Sequence, residues 1–420
     1  MRVLQIGPIP PEIGGRTRGG VATHVWGLAT HLAAQNHQVA VLADNTVTDH
    51  RGSVMKDGIE IYSRLRPLRT FQSLIPFTPE FWRNIRRIKR YFGRLQPLAG
   101  LITLSLNYCH VMTSFRPEII HVHHLENRFP YAYFLTNGRV PIVTTVHSTH
   151  SMEFIESPMR NLRHQLIERN LGLADDVIFV GHYVKKRYEE LFPLGLDRQR
   201  TWVIQNPINV SEYRRIPKED ARRHIGKGSE QSLILFVGGL IPRKGAKILI
   251  ESAARLRAKG ITFHLMIVGD GPQKDELKRM IEENHLLSHV SLEGPKSQAE
   301  LPYYYSAADL FTLPSSSEGF ALVYVEAIAC GCPIIGTQGV VDELIVSDDY
   351  GFAVPPNDAI ALSQIIEKAL RCPWNREQIR KYALQFDWTV KVHEFEEVYQ
   401  TIIDHPVRAR TASSKPGENF

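Results

Sequence analysis

Two glutamates stand at a regular spacing in the stretch LPSSSEGFALVYVEAIACGCPIIGT, residues 313–337. Glu318 follows three serines and precedes a glycine, and Glu326 lies eight residues later among apolar side chains. Burying a carboxylate without partners is costly, so we expect each of the two acids to have a hydrogen-bond or charge partner, which can be a ligand. A helical spacing would separate them by ~12 Å along the axis and by about 80° around it. A carboxylate accepts two hydroxyl donors and sugars present vicinal hydroxyls, so the pair suits the two ends of one elongated, sugar-bearing ligand.

The elements expected around this pair also suit a phosphate. A strand should end near Pro314, and after a polar loop a helix should begin near Phe320. The first amides of a helix carry partial positive charge and bind anions, and Gly319 permits close approach of the backbone. A nucleotide-sugar would place its hexose at one carboxylate, its diphosphate at the amides and its ribose at the other carboxylate. The alternative is structural: Glu318 caps the helix, and Glu326 is buried and paired.

Two more strand–loop–helix segments have the composition of phosphate sites. In FVGGLIPRKGAKILIESAARL, residues 236–256, Lys244 would be a point charge on a diphosphate. After the first strand, Gly19 and Gly20 open a helix in GGRTRGGVATHVWGLATHLAAQNH. These glycines do not form G-x-G-x-x-G, so a nicotinamide cofactor is unsupported. Basic residues at a helix start are also often simply solvated.

The elements that must position these residues follow a regular alternation of apolar, β-branched runs and helical patterns, which predicts parallel sheets covered on both faces. A chain of 420 residues exceeds the usual size of one core, so we expect two doubly wound, Rossmann-like α/β domains. Their expected bounds are 1–206 and 207–386, with the seam at 205–220, where proline, asparagine and charge replace periodicity. The helix 388–403 is expected to pack back on the N-terminal domain, and 405–420 is expected to be disordered.

Residues 313–337 resemble the E-x7-E signature of retaining glycosyltransferases of family 4, and similar motifs recur in order over roughly residues 2–403. The resemblance implies the GT-B fold, in which two Rossmann-like domains have a cleft between them. It implies that Glu326 binds the ribose hydroxyls and that Glu318 holds the transferred sugar together with nearby backbone amides. These amides belong to Gly319, Phe320 and Ala321, of which Ala321 stands where the family often has glycine.

Lys244 and Gly245 resemble part of the family pattern VGRL-xxx-KG, but Gly239 stands where arginine is usual. By resemblance one diphosphate contact is therefore missing, and Arg243 is the obvious substitute. The loop that contains Gly20 resembles the family's GGxxxHV loop, whose glycine amide would reach the diphosphate from the N-terminal, acceptor-side domain.

Histidines at predicted strand ends are the N-terminal candidates. His147 ends the strand in IVTTVHSTHS, and a histidine at such an edge can hydrogen-bond a hydroxyl. The segment resembles the family's TVH, which makes His147 the main catalytic-site candidate of this domain. His123 in IIHVHH resembles an HxH element, but packing explains it equally well, and His24 is interpreted as a packed residue. Gly269 and Asp270 resemble a family loop that shapes the pocket wall, with a plain strand–turn–helix as the alternative.

The expected site is thus defined by two groups of residues. The residues expected to be catalytic are His147, Lys244, Glu318 and Arg243. Those expected to bind substrate are Gly19, Gly20, His123, Gly238, Gly239, Gly319, Phe320, Ala321, Leu322, Glu326, Gly269 and Asp270. No D-x-D occurs in the sequence and no His/Asp cluster has metal-ligand spacing, so we expect no metal and no cofactor. Without a convincing nucleophile, the resemblance implies same-face attack in which the leaving phosphate takes the acceptor's proton.

One short segment supplies most of the basic excess behind the net charge of +6. Nine basic residues and one acidic residue lie within 61–100, and 77–97 has the pattern of an amphipathic helix with Trp82. Such a segment, taken as 64–96, suits an anionic membrane surface through its basic residues at 64–94. The alternative is a helix docked on the N-terminal sheet with a solvated basic face. Nucleic acid is not expected as a partner, because no RNP-like or helix-turn-helix pattern accompanies the charges.

The predicted function is transfer of a hexose from a UDP- or GDP-linked sugar to a hydroxyl of a saccharide or lipid-linked acceptor. A nucleotide-sugar epimerase of the same fold remains an alternative, as does a non-enzymatic basic protein that binds a membrane or RNA. No apolar run approaches the ~18 residues of a membrane span, and the N-terminus reads as a strand rather than a signal peptide. We therefore expect a cytoplasmic protein, with peripheral attachment to the inner membrane face as an option.

Overall fold

A computed structural model describes most of the chain, in eleven ranges. They are residues 1–16, 19–48, 53–65, 79–92, 98–123, 125, 129–136, 139–148, 160–197, 199–228 and 230–405. Much of the basic segment therefore lies outside the described residues, and so does all of the predicted tail 405–420 except residue 405.

The chain divides into two compact units. One comprises Met1–Gln205 together with Trp388–Phe420, and the other comprises Asn206–Asp387. Within the described residues the helices are α1 (Gly20–Ala34), α2 (Pro79–Phe92), α3 (Leu98–Phe115), α4 (Phe129–Leu135), α5 (Arg160–Leu173), α6 (His182–Leu191), α7 (Lys218–His224), α8 (Ala246–Ala258), α9 (Lys274–Glu283), α10 (Leu301–Ala307), α11 (Leu322–Ala329), α12 (Ala359–Arg371), α13 (Arg376–Ala383) and α14 (Trp388–Asp404). Within this description no helix combines the length and the apolar character that crossing a membrane requires.

The first unit contains one eight-stranded sheet. Its strands are β1 (Arg2–Gly7), β2 (Gln38–Thr48), β3 (Ser53–Lys56), β4 (Ile59–Leu65), β5 (Ile119–Val122), β6 (Ile142–Val146), β7 (Asp176–Phe179) and β8 (Arg200–Val203), in the order β3-β4-β2-β1-β5-β6-β7-β8. The sheet is parallel except for the edge pair β3–β4, which is an antiparallel hairpin. Asp57 and Gly58 form its turn, both with positive φ, as a tight hairpin requires. The predicted parallel sheet thus carries one antiparallel strand at this edge.

The C-terminal helix α14 packs on α1 within the first unit. A Cβ at Gly27 of α1 would lie 2.5 Å from the indole of Trp388, so only glycine leaves room for this tryptophan. Phe395 joins the same buried cluster as Val25 and Leu28 of α1. The helix is thus part of the core that packs against β1, β5 and β6.

The second unit contains a six-stranded, fully parallel sheet. Its strands are β9 (Ser232–Val237), β10 (Phe263–Val268), β11 (Val290–Gly294), β12 (Leu310–Leu313), β13 (Ile334–Thr337) and β14 (Gly351–Val354), in the order β11-β10-β9-β12-β13-β14. From β9 the chain builds outward through β10 to β11, and it then returns to place β12 on the other side of β9. The strand order reverses between β9 and β12, and doubly wound sheets bind ligands beyond the carboxyl ends of the strands at such a point.

The basic helix α2 is docked by its apolar face. Phe81 and Ile85 are buried in a cluster with Leu106 of α3, and α2 contacts α3 and α4. The structure thus has the docked helix of the alternative, but its main contacts are with α3 and α4. The face opposite the cluster is exposed, and it carries Trp82, Arg83, Arg86, Arg87 and Arg90.

Candidate active site

Two loops meet at the reversal point of the second sheet. The loop after β9 ends in the 3-10 turn Pro242–Lys244, and Gly245 follows with a φ of +74°. A Cβ at Gly245 would lie 2.1 Å from the carbonyl oxygen of Pro314, at the start of the loop after β12. In addition, the backbone amide of Ser316 donates to the carbonyl oxygen of Arg243 at 2.8 Å. Glycine and this hydrogen bond fix the two loops side by side.

Glu318 pairs with two cations from the neighbouring loop. Its Oε1 lies 2.6 Å from Lys244 Nζ and 3.0 Å from Arg243 Nη1. Arg243 Nη1 also donates to the carbonyl oxygen of Ser317 at 3.1 Å, while its Nε is buried with no hydrogen-bond partner in the described structure. The side chains of Glu318 and Lys244 are only 9% and 15% exposed, so water screens this pair weakly. The structure thus gathers a carboxylate and two positive charges at the reversal point of the second sheet.

Glu326 is a buried carboxylate on α11 that two tyrosines hold. Its Oε2 accepts a hydrogen bond of 2.7 Å from the hydroxyl of Tyr305, and Tyr213 supplies a second phenol. Burial raises the pKa of Glu326 above its ordinary value, although both phenol hydrogen bonds act in the opposite direction. An ionised carboxylate offers about four acceptor positions on its two oxygens, so two phenols leave capacity for a ligand's hydroxyls.

Helix α11 begins at Leu322, two residues after the start predicted near Phe320, and Ala321 is its N-cap. Gly319 and Phe320 therefore belong to the loop, and the Phe320 ring packs against Phe386 with centroids 6.0 Å apart. The first amides of a helix lack intrahelical partners, so the amide donors at this end start with Leu322. These donors adjoin Glu318 in the chain.

The glycines after β9 and β10 have different structural roles. Gly269 has a φ of +141°, and a Cβ there would lie 1.9 Å from the carbonyl oxygen of Gly238, so this close approach requires glycine. At Gly239, by contrast, a Cβ would meet only the carbonyl oxygen of Asp270, 4.0 Å away, within the part of the chain that the structure describes. A side chain has room at this position, so sterics do not explain why glycine replaces the arginine usual in the resembling pattern.

In the first unit, His123 and His147 lie close together at the carboxyl ends of the neighbouring strands β5 and β6. Nδ1 of His123 is 3.2 Å from Nε2 of His147. The other ring nitrogen of His123, Nε2, is 3.1 Å from Oε1 of Gln5. His24 of α1 packs against both rings, with centroid distances of 5.5 Å and 4.9 Å. His24 is buried, in line with its interpretation as a packed residue, but it belongs to the same histidine group.

A fourth histidine lies behind this group. His121 stacks on His123 with centroids 4.2 Å apart, and its two nitrogens lie 2.6 Å from the hydroxyls of Tyr399 and Thr145. Burial, with a smaller contribution from the charge of His24, lowers the pKa of His121 well below its ordinary value. His121 is therefore neutral near pH 7 and serves as a rigid support for His123.

Gly19 and Gly20 lie at the N-terminus of α1, Gly19 as the N-cap and Gly20 as the first helical residue. A Cβ at Gly19 would meet nothing within 4 Å, and no side chain caps the helix. Among the described residues, therefore, nothing covers the backbone at this helix start.

Sequence reasoning did not identify Tyr305, Tyr213 or Gln5 as partners of the site. Tyr305 closes a run of three tyrosines, and a buried phenol normally requires a hydrogen-bond partner. That signal exists in the sequence, but it does not say which acceptor the phenol meets.

Two family models match consecutive parts of the chain. Residues 18–212 match Glycosyltransferase Family 4, and residues 217–386 match Glycosyl transferases group 1. Glycogen synthase of Mycobacterium tuberculosis is 27% identical over 410 residues, which cover 95% of this chain and 94% of that protein. A GDP-mannose-dependent alpha-(1-6)-phosphatidylinositol monomannoside mannosyltransferase of Mycolicibacterium smegmatis is 30% identical over 241 residues, covering 54% and 61% of the two chains.

Solved structures show the same architecture. Sucrose-phosphate synthase from Thermosynechococcus elongatus has a TM-score of 0.73 at 21% identity, with 96% of this chain and 100% of that chain covered. Anabaena HepE in complex with UDP-glucose has a TM-score of 0.68 at 18% identity, with 96% and 100% covered. These neighbours and the two Rossmann-like units confirm the predicted fold. The chain is thus a glycosyltransferase of the GT-B fold, formed by a Glycosyltransferase Family 4 domain followed by a Glycosyl transferases group 1 domain.

Proposed function

We propose that the protein transfers a hexose from a UDP- or GDP-linked sugar to a hydroxyl of a saccharide or lipid-linked acceptor, with retention of anomeric configuration and without a metal ion. The observation that carries this proposal is the convergence of Lys244 and Arg243 on Glu318 at the reversal point of the second sheet. Cations, an acid for sugar hydroxyls and a helix start lie together there, as a nucleotide-sugar requires.

Each part of the donor has a matching group in this unit. The diphosphate would lie against Lys244, Arg243 and the amides from Leu322 onwards, because all of them present positive charge. The hexose hydroxyls would donate to Glu318. The ribose hydroxyls would donate to Glu326, whose two phenol partners leave it acceptor capacity.

The similar proteins support both nucleotide classes. The mannosyltransferase of Mycolicibacterium smegmatis is named as GDP-mannose-dependent, and HepE of Anabaena has been solved with UDP and with UDP-glucose. We therefore propose a nucleoside diphosphate hexose as the donor and keep both bases in the first assay.

In the proposed reaction, the bond between the sugar's anomeric carbon and the diphosphate oxygen breaks while the acceptor oxygen bonds to the same face. The acceptor's proton passes to the departing phosphate oxygen, so atoms and charge balance without an added base. Lys244 and Arg243 would stabilise the charge that develops on the diphosphate. The sequence contains no D-x-D, so we propose that these two side chains neutralise the diphosphate charge that a metal ion would otherwise neutralise. His147 is proposed to hydrogen-bond a hydroxyl of the donor sugar or of the acceptor.

A panel of UDP- and GDP-sugars, incubated with the full chain and chelator, tests this function. We expect one donor to be hydrolysed slowly, and we expect the α or β configuration of its sugar to be kept in the glycoside formed with an acceptor. An isomerised nucleotide-sugar without any acceptor would instead establish the epimerase alternative. Absence of turnover, together with no rise in Tm on adding UDP or GDP, would refute both enzyme readings.

We also propose that the exposed face of α2 contacts an anionic membrane, which would suit a lipid-linked acceptor. The face is built from arginines around an exposed tryptophan, and Trp82 is 37% exposed while Phe81 and Ile85 are used in packing. Arginines near an anionic surface contribute ~1 kcal/mol each, and a tryptophan at the interface adds an amphipathic anchor.

Flotation with vesicles tests this contact. The full chain should bind vesicles that contain phosphatidylserine and should not bind phosphatidylcholine alone. Changing Arg83, Arg86 and Arg90 to glutamine should weaken binding ~100-fold, because three charges contribute about 3 kcal/mol. A matched variant with three glutamines at the exposed Lys274, Lys278 and Arg279 of α9 should bind like the parent chain. Equal binding by the α2 variant would refute the role of this face.

A further inference from the structure

Three histidines from separate elements converge in the first unit. His24 lies on α1, and His123 and His147 follow β5 and β6. One ring nitrogen from each lies within 4.8 Å of the other two. Among the described histidines, cysteines, aspartates and glutamates, no other group of three shows this convergence.

The spacing of the ring nitrogens suits a late transition-metal ion. Zinc binds imidazole nitrogen at about 2.0–2.1 Å, so two nitrogens in a tetrahedral site lie about 3.4 Å apart. Nδ1 of His123 and Nε2 of His147 are already 3.2 Å apart. No two of these nitrogens are more than 4.8 Å apart, so the rings need to approach one another by at most ~1.4 Å to reach bonding geometry. The group contains no carboxylate, and imidazole selects zinc, copper or nickel over calcium or magnesium.

The surroundings of the group resemble the outer shell of a metal site. Metal-bound histidines usually donate their other ring N–H to an oxygen, which fixes the tautomer. With Nδ1 of His123 on a metal, its Nε2–H would donate to Oε1 of Gln5, 3.1 Å away. If the Gln5 amide is rotated by half a turn, its nitrogen faces both Nε2 of His123 and the carbonyl oxygen of Val25, at 3.1 Å and 3.2 Å. The rotated orientation also lets the Gln5 oxygen accept from the amide of Ala29 at 3.1 Å, so it satisfies the side chain better when no ion is bound. Metal binding at Nδ1 of His123 would therefore require the Gln5 amide to turn by half a turn, so that its oxygen accepts from Nε2–H.

Packing holds the rings in place around the group. Trp388 and Phe395 of α14 lie against His24, with centroids 5.4 Å and 5.7 Å from its ring. His121 stacks on the opposite histidine, His123. These apolar and aromatic contacts lower the freedom of the ligands, so little ordering remains to be done when an ion binds.

We propose that His24, His123 and His147 form a binding site for one zinc ion. His24 and His123 are buried and His147 is half-buried, so the fourth coordination position lies on the His147 side and takes water or a sugar hydroxyl. The ion is not needed for transfer. The ion would bind the His147 nitrogen that, in the proposed function, hydrogen-bonds a hydroxyl of the donor sugar or of the acceptor. Zinc is therefore expected to inhibit turnover, and only this consequence rests on the proposed function.

Direct titration of the full chain with zinc tests the site without any donor. After removal of metals with chelator, calorimetry and competition with a chromophoric chelator should give one high-affinity zinc ion per chain. Cobalt(II) should bind in the same place and give the intense visible absorption of a tetrahedral nitrogen site. Magnesium should give no signal.

Variants locate the ion. His147→Gln and His24→Gln should each weaken zinc binding ~100-fold, and Gln5→Leu should weaken it 10–100-fold through the outer shell. His31→Gln, on the same helix as His24 but outside the group, should bind like the parent chain. Circular dichroism and the metal-free Tm identify any variant that does not fold, and the half-buried His147 is the change least disruptive to packing.

A surface pair supplies the competing explanation. His37 and His393 both hydrogen-bond Glu396 at 2.7 Å and would bind zinc independently of the core group. Loss of binding only in a His37→Gln/His393→Gln variant, or no stoichiometric zinc at all, would overturn the proposal. Zinc binding without inhibition would leave the site standing and count against the role of His147 in transfer. No zinc binding in a chain that turns over a donor would remove the site and leave the transferase standing.

Discussion

Replacing Glu318 with glutamine should tighten the binding of a free nucleoside diphosphate while it slows transfer. In the ligand-free chain the Glu318 carboxylate is paired with Lys244 and Arg243, at 2.6 Å and 3.0 Å. A diphosphate that binds these cations must do so beside an existing negative charge. Glutamine keeps the shape of the side chain and removes that charge.

The magnitude follows from the burial of the group. Two unit charges ~6 Å apart repel by ~3 kcal/mol at an effective dielectric of about 20, and by ~0.7 kcal/mol in water. The Glu318 side chain is 9% exposed and that of Arg243 is 24% exposed, so the site lies between these limits. We expect about 1.4 kcal/mol, which is a tenfold lower Kd for UDP or GDP.

Calorimetry of UDP, GDP and the matching nucleosides measures this effect. Glu318→Gln should bind the diphosphate about tenfold more tightly, and Lys244→Ala should bind it at least tenfold more weakly, because it removes a partner of the phosphate. Nucleoside affinity should be the same in both variants, since the nucleoside carries no phosphate. Transfer should fall in both. A folded Glu318→Gln chain with unchanged or weaker diphosphate affinity would show that the acid does not compete for these cations.

The remaining predictions concern other parts of the same unit. Nucleoside affinity should fall as the pH decreases through the raised pKa of Glu326, because a protonated carboxyl cannot accept from both ribose hydroxyls; in calorimetry Glu326→Gln should bind at least ~10-fold more weakly and lose this pH dependence. Gly239→Arg should lower the Kd for the diphosphate ~3–10-fold, because a side chain has room there, and Gly239→Gln should not; equal affinities would show that the added charge does not reach the phosphates. Gly245→Ala should lower the free energy of unfolding by ~3 kcal/mol or more, because its Cβ would clash with the carbonyl oxygen of Pro314. Denaturant unfolding measures this loss, and the control Gly260→Ala, at a φ of +72° with no described atom within 4 Å of the added Cβ, should lose only ~1 kcal/mol.

The sequence predicts the fold well where strands are buried on both faces. Ile119–Val122 and Ile142–Val146 are buried at every position, and their sequences are dominated by β-branched residues. Ser53–Lys56 is exposed at every position, so no apolar pattern indicates this strand, and only the Asp57–Gly58 turn could have suggested the hairpin.

For the site, sequence patterns identify residues but not their partners. Resemblance placed Lys244 and Glu318 on one ligand, but their ion pair spans 74 positions, and no local pattern predicts which groups meet over that distance. The partners of Glu326 could not be predicted for the same reason, because Tyr305 and Tyr213 come from other parts of the chain. The histidine group has no metal-ligand spacing because His24 and His147 lie on different elements, which only the order of the strands in the sheet brings together.

The Glu318 ion pair also bears on product release. While a hexose is attached, its hydroxyls would donate to Glu318, and the cations would be shared between this acid and the diphosphate. Once the hexose has moved to the acceptor, Glu318 loses its hydroxyl partners and its charge acts on the cations alone. The free diphosphate would then compete less well with Glu318 for Lys244. The ion pair of the ligand-free chain could re-form as the diphosphate dissociates. If the proposed function holds, an acid at this position would lower product affinity as well as hold the sugar, and an uncharged replacement would lose both effects.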